Sequence, residues 1–140
     1  MRITLVRHGE TTGQSSVRYF GATDVPLSDL GREQMRRVRD VLAGEPFDAV
    51  FSSRLRRSRE GAKLVAAGRA VVTPMAEFDE VNFGRWEGWT REEIAQRDPE
   101  QYRAWQQNGH AFSYPDGESR PAFRVRVARG LSLVLNGHRP

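Results

Sequence analysis

A chain of 140 residues, 38% hydrophobic and 29% charged, is long enough for one domain with one hydrophobic core and too apolar to be intrinsically disordered. The lack of cysteine excludes disulfides, thiolate catalysis and cysteine zinc sites. The net charge of +4 comes almost entirely from arginine, because Lys63 is the single lysine. Genomic base composition is a sufficient explanation of that preference, so composition alone indicates no ligand.

The chain contains no stretch close to the roughly 20 apolar residues that a transmembrane helix needs. Charge soon interrupts the short apolar run near the N-terminus, so no signal peptide is predicted. We expect a cytoplasmic protein that does not associate with membranes.

The first predicted element is a buried strand at residues 3–6, a short apolar run rich in β-branched side chains. Residues 9–24 carry glycine, threonine and serine and are predicted to form a loop. A helix is then predicted to begin at Ser28 or Asp29 and to run to about Leu42, because apolar side chains recur there at helical spacing.

The remaining chain alternates in the same way. A strand at residues 48–52, a helix at 54–67 and a strand at 70–73 are predicted first. Two short helices at residues 90–97 and 99–107 follow. A last helix begins after residues 117–119 and runs towards residue 135. Strands that alternate with helices are typical of an α/β fold with a parallel sheet, here as a single domain over the whole chain.

Polar residues follow two of the predicted strands, at residues 7–9 and at residues 52–53. In parallel sheets, ligands bind beyond the carboxyl ends of the strands. Both segments therefore point to one rim of the sheet as the functional site.

His8 is the first candidate for catalysis. Arg7 precedes it and can hold a dianion beside the imidazole, while Gly9 lets the backbone approach a ligand closely. A neutral imidazole can act as a nucleophile on a phosphate held there. The alternative is a loop histidine that only bonds to the backbone, and the residues by themselves do not decide between the two.

Arg57 is the second candidate, because it lies one turn into the predicted helix that follows Ser53. A helix N-terminus favours anions, and an arginine there adds positive charge to the same corner. The alternative is an ordinary solvated face, since Arg54, Arg56 and Arg59 are close neighbours in the sequence.

The acidic and aromatic segment at residues 77–88 is the third candidate. Cleavage of a phosphate ester needs a general acid for the leaving oxygen. The segment offers four carboxyl groups, and the pattern alone does not choose among Glu77, Asp79, Glu80 and Glu87. The alternative is a capped turn with a packed tryptophan.

No metal site is predicted. His8, His110 and His138 lie far apart and lack the spacing of metal ligands, and the carboxylates form no recognisable metal cluster. His110 is interpreted as a loop residue and His138 as a tail residue. The sequence also lacks a Walker-type loop and a paired-glycine dinucleotide motif.

Four ordered motifs together resemble the histidine phosphatase (phosphoglycerate mutase-like) superfamily, over nearly the whole chain. They are Leu-Val-Arg-His-Gly-Glu-Thr at residues 5–11, Ser-Ser-Arg-Leu-Arg-Arg at 52–57, Glu-Val-Asn-Phe-Gly-Arg-Trp-Glu-Gly at 80–88 and Pro-Asp-Gly-Glu-Ser at 115–119. The family's stretch after the first motif is matched by Gly21, Asp24, residues 26–28 and Gly31.

The resemblance implies a catalytic set. His8 would be the nucleophile, Arg7 and Arg57 would hold the phosphoryl oxygens, and Glu80 would act first as acid and then as base. Selecting Glu80 from its acidic neighbours rests on the resemblance. The family uses neither metal nor cofactor, and none is expected here.

The resemblance also assigns substrate-binding residues, which are Arg7, Gln14, Gly21 and Arg57. Gln14 stands where many members have an asparagine near the phosphate. The implied fold is a three-layer α/β/α arrangement with a mainly parallel sheet.

The implied function is hydrolysis of a small phosphomonoester through a phosphohistidine intermediate. A phosphatase is favoured over a mutase-type phosphotransferase, because the segment after Glu80 lacks the longer basic insert of mutases. Ribazole and sugar phosphates both remain open as substrates. Two further alternatives are a catalytically impaired phosphate-binding or interaction module and a basic nucleic-acid binder. The spread of the arginines over several predicted helices argues against nucleic acid.

Two departures from the family pattern stand out. Residues 60–62 read Glu-Gly-Ala where the family usually has Gln-Thr-Ala. The family also has a second active-site histidine in a Ser/Thr-His-Gly motif on a further strand, and His138 does not fit that motif. The resemblance therefore predicts a domain that lacks its last strand and the elements after it. We expect weak activity, with either self-association at the open sheet edge or a longer polypeptide.

Overall fold

Five α-helices and two strands form the regular structure of residues 2–137, the part of the chain that the computed structural model describes. The helices are α1 (Asp29–Val41), α2 (Arg56–Ala66), α3 (Arg91–Arg97), α4 (Pro99–Asn108) and α5 (Arg120–Leu135). The strands are β1 (Val50–Ser52) and β2 (Val72–Pro74), and short 3-10 turns lie at Ala76–Phe78 and Gly84–Trp86.

β1 and β2 form a parallel pair, with Val50 opposite Val72 and Ser52 opposite Pro74. Parallel neighbours need a crossover connection, and α2 supplies it while packing on both strands. The predicted α/β class with a parallel sheet is confirmed by this unit, as are the two strands predicted at residues 48–52 and 70–73.

Three of the helices begin at a residue whose side chain caps them. The Ser28 hydroxyl accepts a hydrogen bond from the Gly31 N–H at the start of α1. Thr90 caps α3 in a reciprocal capping box with Glu93, and Ser119 caps α5. Such caps satisfy N–H groups that the first helical turn leaves without partners, and each contributes about 1 kcal/mol.

The predicted buried strand at residues 3–6 is wrong for this structure. The segment has no strand partner among residues 2–137, and both of its faces are open: Leu5 on one face is 92% exposed and Val6 on the other is 43% exposed. A strand exists only as part of a hydrogen-bonded ladder. The apolar composition of this run therefore cannot by itself produce a strand.

Two hydrophobic clusters stabilise the rest of the chain. An aliphatic cluster of Leu27, Met35 and Val65 lies where α1 packs on α2. Gly61 permits that close approach, since a side-chain carbon there would lie 3.0 Å from the Met35 sulfur.

The aromatic cluster is built around Trp86, which is 1% exposed. Its ring stacks on Phe112 at 5.4 Å and meets the edge of Tyr114 at 5.7 Å, and its Nε1 donates to Asp98. Each such aromatic pair contributes about 0.5–1.5 kcal/mol beyond its buried area. The cluster fixes the chain around residues 80–88, because the side chain of Val81 is buried in it.

α5 docks on the 3-10 turn at Ala76–Phe78 through Gly130. A side-chain carbon at Gly130 would lie 2.6 Å from the Glu77 Cβ and 2.8 Å from the Phe78 ring, so only glycine allows this contact. The opposite side of α5 is open, with Val125 72% exposed. None of the helices within residues 2–137 has the length and apolar character needed to cross a membrane.

Candidate active site

The loop that carries His8 rests directly on the first turn of α1. A side-chain carbon at Gly9 would overlap the Gly31 carbonyl, and one at Gly31 would overlap the Glu10 carbonyl. The Ser28 N–H donates to the Glu10 carbonyl at 3.0 Å, and the Ser28 hydroxyl lies 2.7 Å from the Glu10 carboxylate. Two glycines and one serine therefore fix the backbone next to His8.

The His8 ring is oriented by its neighbour. Its Nδ1 lies 2.7 Å from the Gly9 carbonyl oxygen. A carbonyl can only accept, so Nδ1 carries the hydrogen, and in the neutral ring the lone pair belongs to Nε2. The ring is half-buried, and Nε2 is the ring nitrogen that the backbone does not use.

Burial is the main cause that lowers the pKa of His8, and the positive charges of Arg57 and Arg7 lower it further. The hydrogen bond to Gly9 and the charge of Glu80 act in the opposite direction. The net effect favours the neutral ring, which is the form that can attack phosphorus.

Arg57 is buried, at 3% exposure, on the first turn of α2. Its guanidinium donates to the carbonyls of Thr23 at 2.9 Å, Gly21 at 2.7 Å and Phe20 at 3.1 Å. Burial lowers its pKa, while Glu80 and other carboxylates oppose this. Three of its five N–H groups have carbonyl partners among residues 2–137, which leaves two for the oxygens of an anion.

Glu87 holds the loop that holds Arg57. Its carboxylate accepts from the N–H groups of Gly21 (3.0 Å), Ala22 (2.8 Å) and Thr23 (3.2 Å), from the Thr23 hydroxyl (2.6 Å), and from the N–H of Phe83 (2.9 Å). A carboxylate with five donors is a structural anchor. Glu87 was one of the four carboxyl groups considered as the general acid, and these hydrogen bonds give it a structural role.

Gly21 is part of the same support. Its N–H is bonded to Glu87 and its carbonyl to Arg57, and a side-chain carbon there would overlap the Val81 carbonyl. The substrate-binding role of Gly21 stays a prediction. In this structure its backbone groups place Arg57.

Among the remaining acid candidates, Asp79 is occupied by Arg54, whose backbone N–H donates to it at 2.7 Å and whose side chain forms an ion pair with it at 2.6 Å. Glu77 lies on the 3-10 turn with its Cβ against Gly130. Glu80 is exposed and accepts from the N–H of Val81 at 2.8 Å.

Glu80 also lines a cavity of about 360 Å³, and its charge acts on both His8 and Arg57. The other lining residues are Ala22, Asp24, Arg54, Leu55 and Asp79. The charges of Arg7, Arg57 and Glu80 thus all act on the His8 ring, while the catalytic roles of these four residues stay predictions.

Gln14 lies elsewhere. It has a positive φ of 63° in the loop after the first motif, and its carbonyl accepts from the N–H groups of Val17 and Arg18. It lines a different cavity, of about 570 Å³, together with residues 10–17 and Ser28. Its contact with a substrate phosphate stays a prediction.

Sequence reasoning missed two supporting residues. Asp24 accepts from the N–H of Arg56 at 2.6 Å and so caps α2 from a distant loop. Arg126 on α5 bonds to the chain that leads into Glu80. The partners lie 32 or more residues apart along the chain. Local sequence patterns do not predict contacts between residues so far apart.

His110 is the other histidine among residues 2–137, and it does not line the cavity beside Glu80. His110 lies exposed in a turn, as predicted, and His138 lies outside the described residues. Across residues 2–137, no group of three or more His, Asp or Glu side chains is arranged to hold a metal ion.

Comparison with known proteins agrees with the motifs. The sequence profile of the histidine phosphatase superfamily (branch 1) matches residues 3–140. The adenosylcobalamin/alpha-ribazole phosphatase of Salmonella typhimurium is 37% identical over 135 residues, which cover 96% of this chain and 67% of that protein. Phosphoserine phosphatase 1 of Hydrogenobacter thermophilus is 30% identical over 139 residues, or 99% of this chain and 66% of that protein.

The fold agrees as well. The crystal structure of the alpha-ribazole phosphatase from Shigella flexneri superposes with a TM-score of 0.86 at 32% identity, covering 94% of this chain and 65% of that one. This chain thus spans about two thirds of the length of the relatives that it matches. With its motifs, fold and profile in agreement, the chain belongs to the histidine phosphatase superfamily (branch 1).

Proposed function

We propose that this chain carries the nucleophile of a phosphomonoester hydrolase, and that the reaction passes through a phosphohistidine on His8. The observation that carries the proposal is the orientation of the His8 ring. Gly9 holds Nδ1, which leaves Nε2 as the attacking atom beside the buried charge of Arg57. The roles of Arg7, Arg57 and Glu80 belong to the same proposal.

In the first step, His8 Nε2 attacks phosphorus and the bond from phosphorus to the ester oxygen breaks. The Glu80 carboxyl group gives its proton to the leaving alcohol. Arg7 and the two remaining N–H groups of Arg57 stabilise the charge on the phosphoryl oxygens. The fixed His8 loop supports in-line attack, since a nucleophile held in place avoids the entropy cost of a bimolecular encounter.

In the second step, water attacks the phosphohistidine. The Glu80 carboxylate takes the proton of the water, the bond from Nε2 to phosphorus breaks, and inorganic phosphate leaves. His8 returns to its neutral form. The lowered pKa of His8 supports both steps, because the free ring does not hold a proton at neutral pH.

The substrate proposed is a small phosphorylated alcohol. Two of the relatives are named for alpha-ribazole phosphate and one for phosphoserine. Ribazole 5′-phosphate is therefore the first compound to test, with phosphoserine second. A cytoplasmic location and self-association of the chain are parts of the proposal that await measurement.

The function is tested by phosphate release from these esters, with His8→Ala as the critical variant and His110→Ala as its matched control. We expect His8→Ala to lose at least about a thousandfold in kcat, as removal of a covalent nucleophile does. The exposed His110→Ala should retain full rate, and a chelator should change nothing. Turnover that survives in His8→Ala would contradict the proposal.

A second candidate function is phosphate binding without turnover. The observation that favours it is the exposure of Ile3, Leu5 and Val6, which leaves the segment before His8 without the packing that fixes a nucleophile. Tight binding of vanadate with no hydrolysis of any ester would select this alternative.

A further inference from the structure

Arg126 of α5 is bonded to the backbone that leads into Glu80. One of its terminal nitrogens donates to the carbonyls of Ala76 and Glu77, each at 3.1 Å, and of Asp79 at 2.9 Å. A terminal guanidinium nitrogen has two hydrogens, so at least one is shared among the three carbonyls. All three acceptors lie within the four residues that precede Glu80.

A carboxylate fixes the direction of this guanidinium. Glu118 accepts from Arg126 through both oxygens, at 2.9 and 2.7 Å, and Phe123 lies under the guanidinium carbon at 5.3 Å. Bidentate pairs of this kind are the strongest ordinary side-chain hydrogen bonds. Both side chains are partly buried, at 26% and 20% exposure. These contacts together orient the Arg126 guanidinium.

The same pair also reaches the other side of Glu80. The backbone N–H of Glu118 donates to the Asn82 carbonyl at 2.9 Å. Arg126 thus holds the chain one residue before Glu80, and Glu118 holds it two residues after. We call these two residues the Glu118–Arg126 clamp.

We propose that Arg126, together with Glu118, is a positioning residue for Glu80, and this inference rests on the proposed function of Glu80 as the general acid. α5 also contacts this turn through a second point, where Gly130 packs against Glu77 and Phe78. The clamp instead fixes the carbonyls of Asp79 and Asn82. The Glu80 carboxyl group is thereby held where a leaving oxygen can meet it.

The kinetic test compares Arg126→Gln with Arg129→Gln, an exposed arginine of the same helix. A misplaced acid matters most for leaving groups that need a proton. We expect Arg126→Gln to lower kcat for an alkyl phosphate about tenfold more than for p-nitrophenyl phosphate, with KM little changed. Arg126→Lys should recover part of the loss. Equal losses on both substrates, or none, would overturn the inference.

A second readout is independent of turnover. The Val81 N–H donates to the Glu80 carboxylate, so its hydrogen exchange reports the position of that group. Exchange at Val81 should be at least about tenfold faster in Arg126→Gln than in Arg129→Gln. If exchange at Val81 is unchanged in Arg126→Gln, the clamp is overturned, even if the chain hydrolyses no phosphate ester. If exchange is faster but no ester is hydrolysed, only the proposed function is overturned. If Arg126→Gln does not fold, Glu118→Gln and Arg126→Lys decide by the same two readouts.

Discussion

The two halves of the candidate active site are built in different ways. On one side, Arg57 is buried under three carbonyls, and Glu87 ties down the loop that supplies them. On the other side, His8 follows a segment in which Leu5 is 92% exposed. The half that contains Arg57, the anion-binding half, is held by many hydrogen bonds. The half that contains His8, the nucleophile half, depends on two glycines and a serine.

The difference follows from how each backbone finds its hydrogen-bond partners. The loop at residues 20–23 bonds to side chains that the fold brings to it, so it needs no sheet. The segment at residues 3–6 was predicted as a strand, and a strand needs another strand beside it. Substituting residues in each half in turn therefore tests whether the two halves differ in this way.

Among the variants that test this comparison, the largest effect is expected for Glu80, whose charge acts on Arg57 in the anion-binding half. Glu80→Gln should lower kcat for an alkyl phosphate by about 10²–10⁴ and for an aryl phosphate by much less, because a phenolate leaves without a proton. Steady-state kinetics on the two substrates measures this. Glu77→Gln is the matched control. Equal losses on both substrates would count against the role of Glu80.

The next effect concerns the anchor of that half. Glu87→Ala leaves several N–H groups of residues 21–23 without their acceptor, and each unsatisfied group costs about 1–3 kcal/mol. The free energy of unfolding in urea should fall by about 3 kcal/mol or more. Glu100→Ala, at an exposed helix start, should cost under about 1 kcal/mol. A loss for Glu87→Ala as small as for this control would show that the anchor is not needed.

A smaller effect is expected in the nucleophile half. Gly31→Ala places a methyl group on the Glu10 carbonyl and pushes the His8 loop away from α1. Such overpacking costs about 1–3 kcal/mol. Gly44→Ala adds the same methyl group where nothing lies within 4 Å, so its stability should be unchanged or slightly higher. Thermal unfolding measures the difference. Equal unfolding temperatures for the two variants would contradict the close packing of Gly9 and Gly31.

The smallest effect is electrostatic. The pKa of His8, followed by NMR, should lie below its ordinary value of about 6.5. Arg7→Gln removes a positive charge and should raise that pKa. Because the folded state disfavours the protonated ring, the contribution of His8 to stability is present above about pH 6.5 and is lost as the pH falls towards the lowered pKa. A pKa at or above the ordinary value would contradict the burial of this ring.

The sequence predicted the parts of the fold that depend on local signals. Ser28, Thr90 and Ser119 announce helix starts, and the predicted β1, α2 and β2 were all found within three residues of their bounds. The prediction of a strand at residues 3–6 was wrong because a strand also needs a neighbouring strand. The composition of the segment does not show whether such a neighbour is present.

In the candidate site, too, local motifs were predicted from the sequence and long-range contacts were not. His8, Arg57 and Glu80 were selected from the motifs, and the charges of Arg57 and Glu80 act on the His8 ring, while their catalytic roles stay predictions. The use of Glu87 as an anchor was not predicted, since its partners in residues 21–23 lie 64 to 66 positions away. Nor was the Glu118–Arg126 clamp, whose contacts reach backbone carbonyls 36 to 50 residues earlier in the chain.

The central claim is that His8 receives the phosphoryl group, and trapping of the intermediate tests it most directly. The chain is mixed with a labelled phosphomonoester, quenched in base, where phosphohistidine survives, and digested for peptide mapping. The account predicts label on His8, no label in His8→Ala, and full label in His110→Ala. Label on any other residue, or label that persists in His8→Ala, would contradict it.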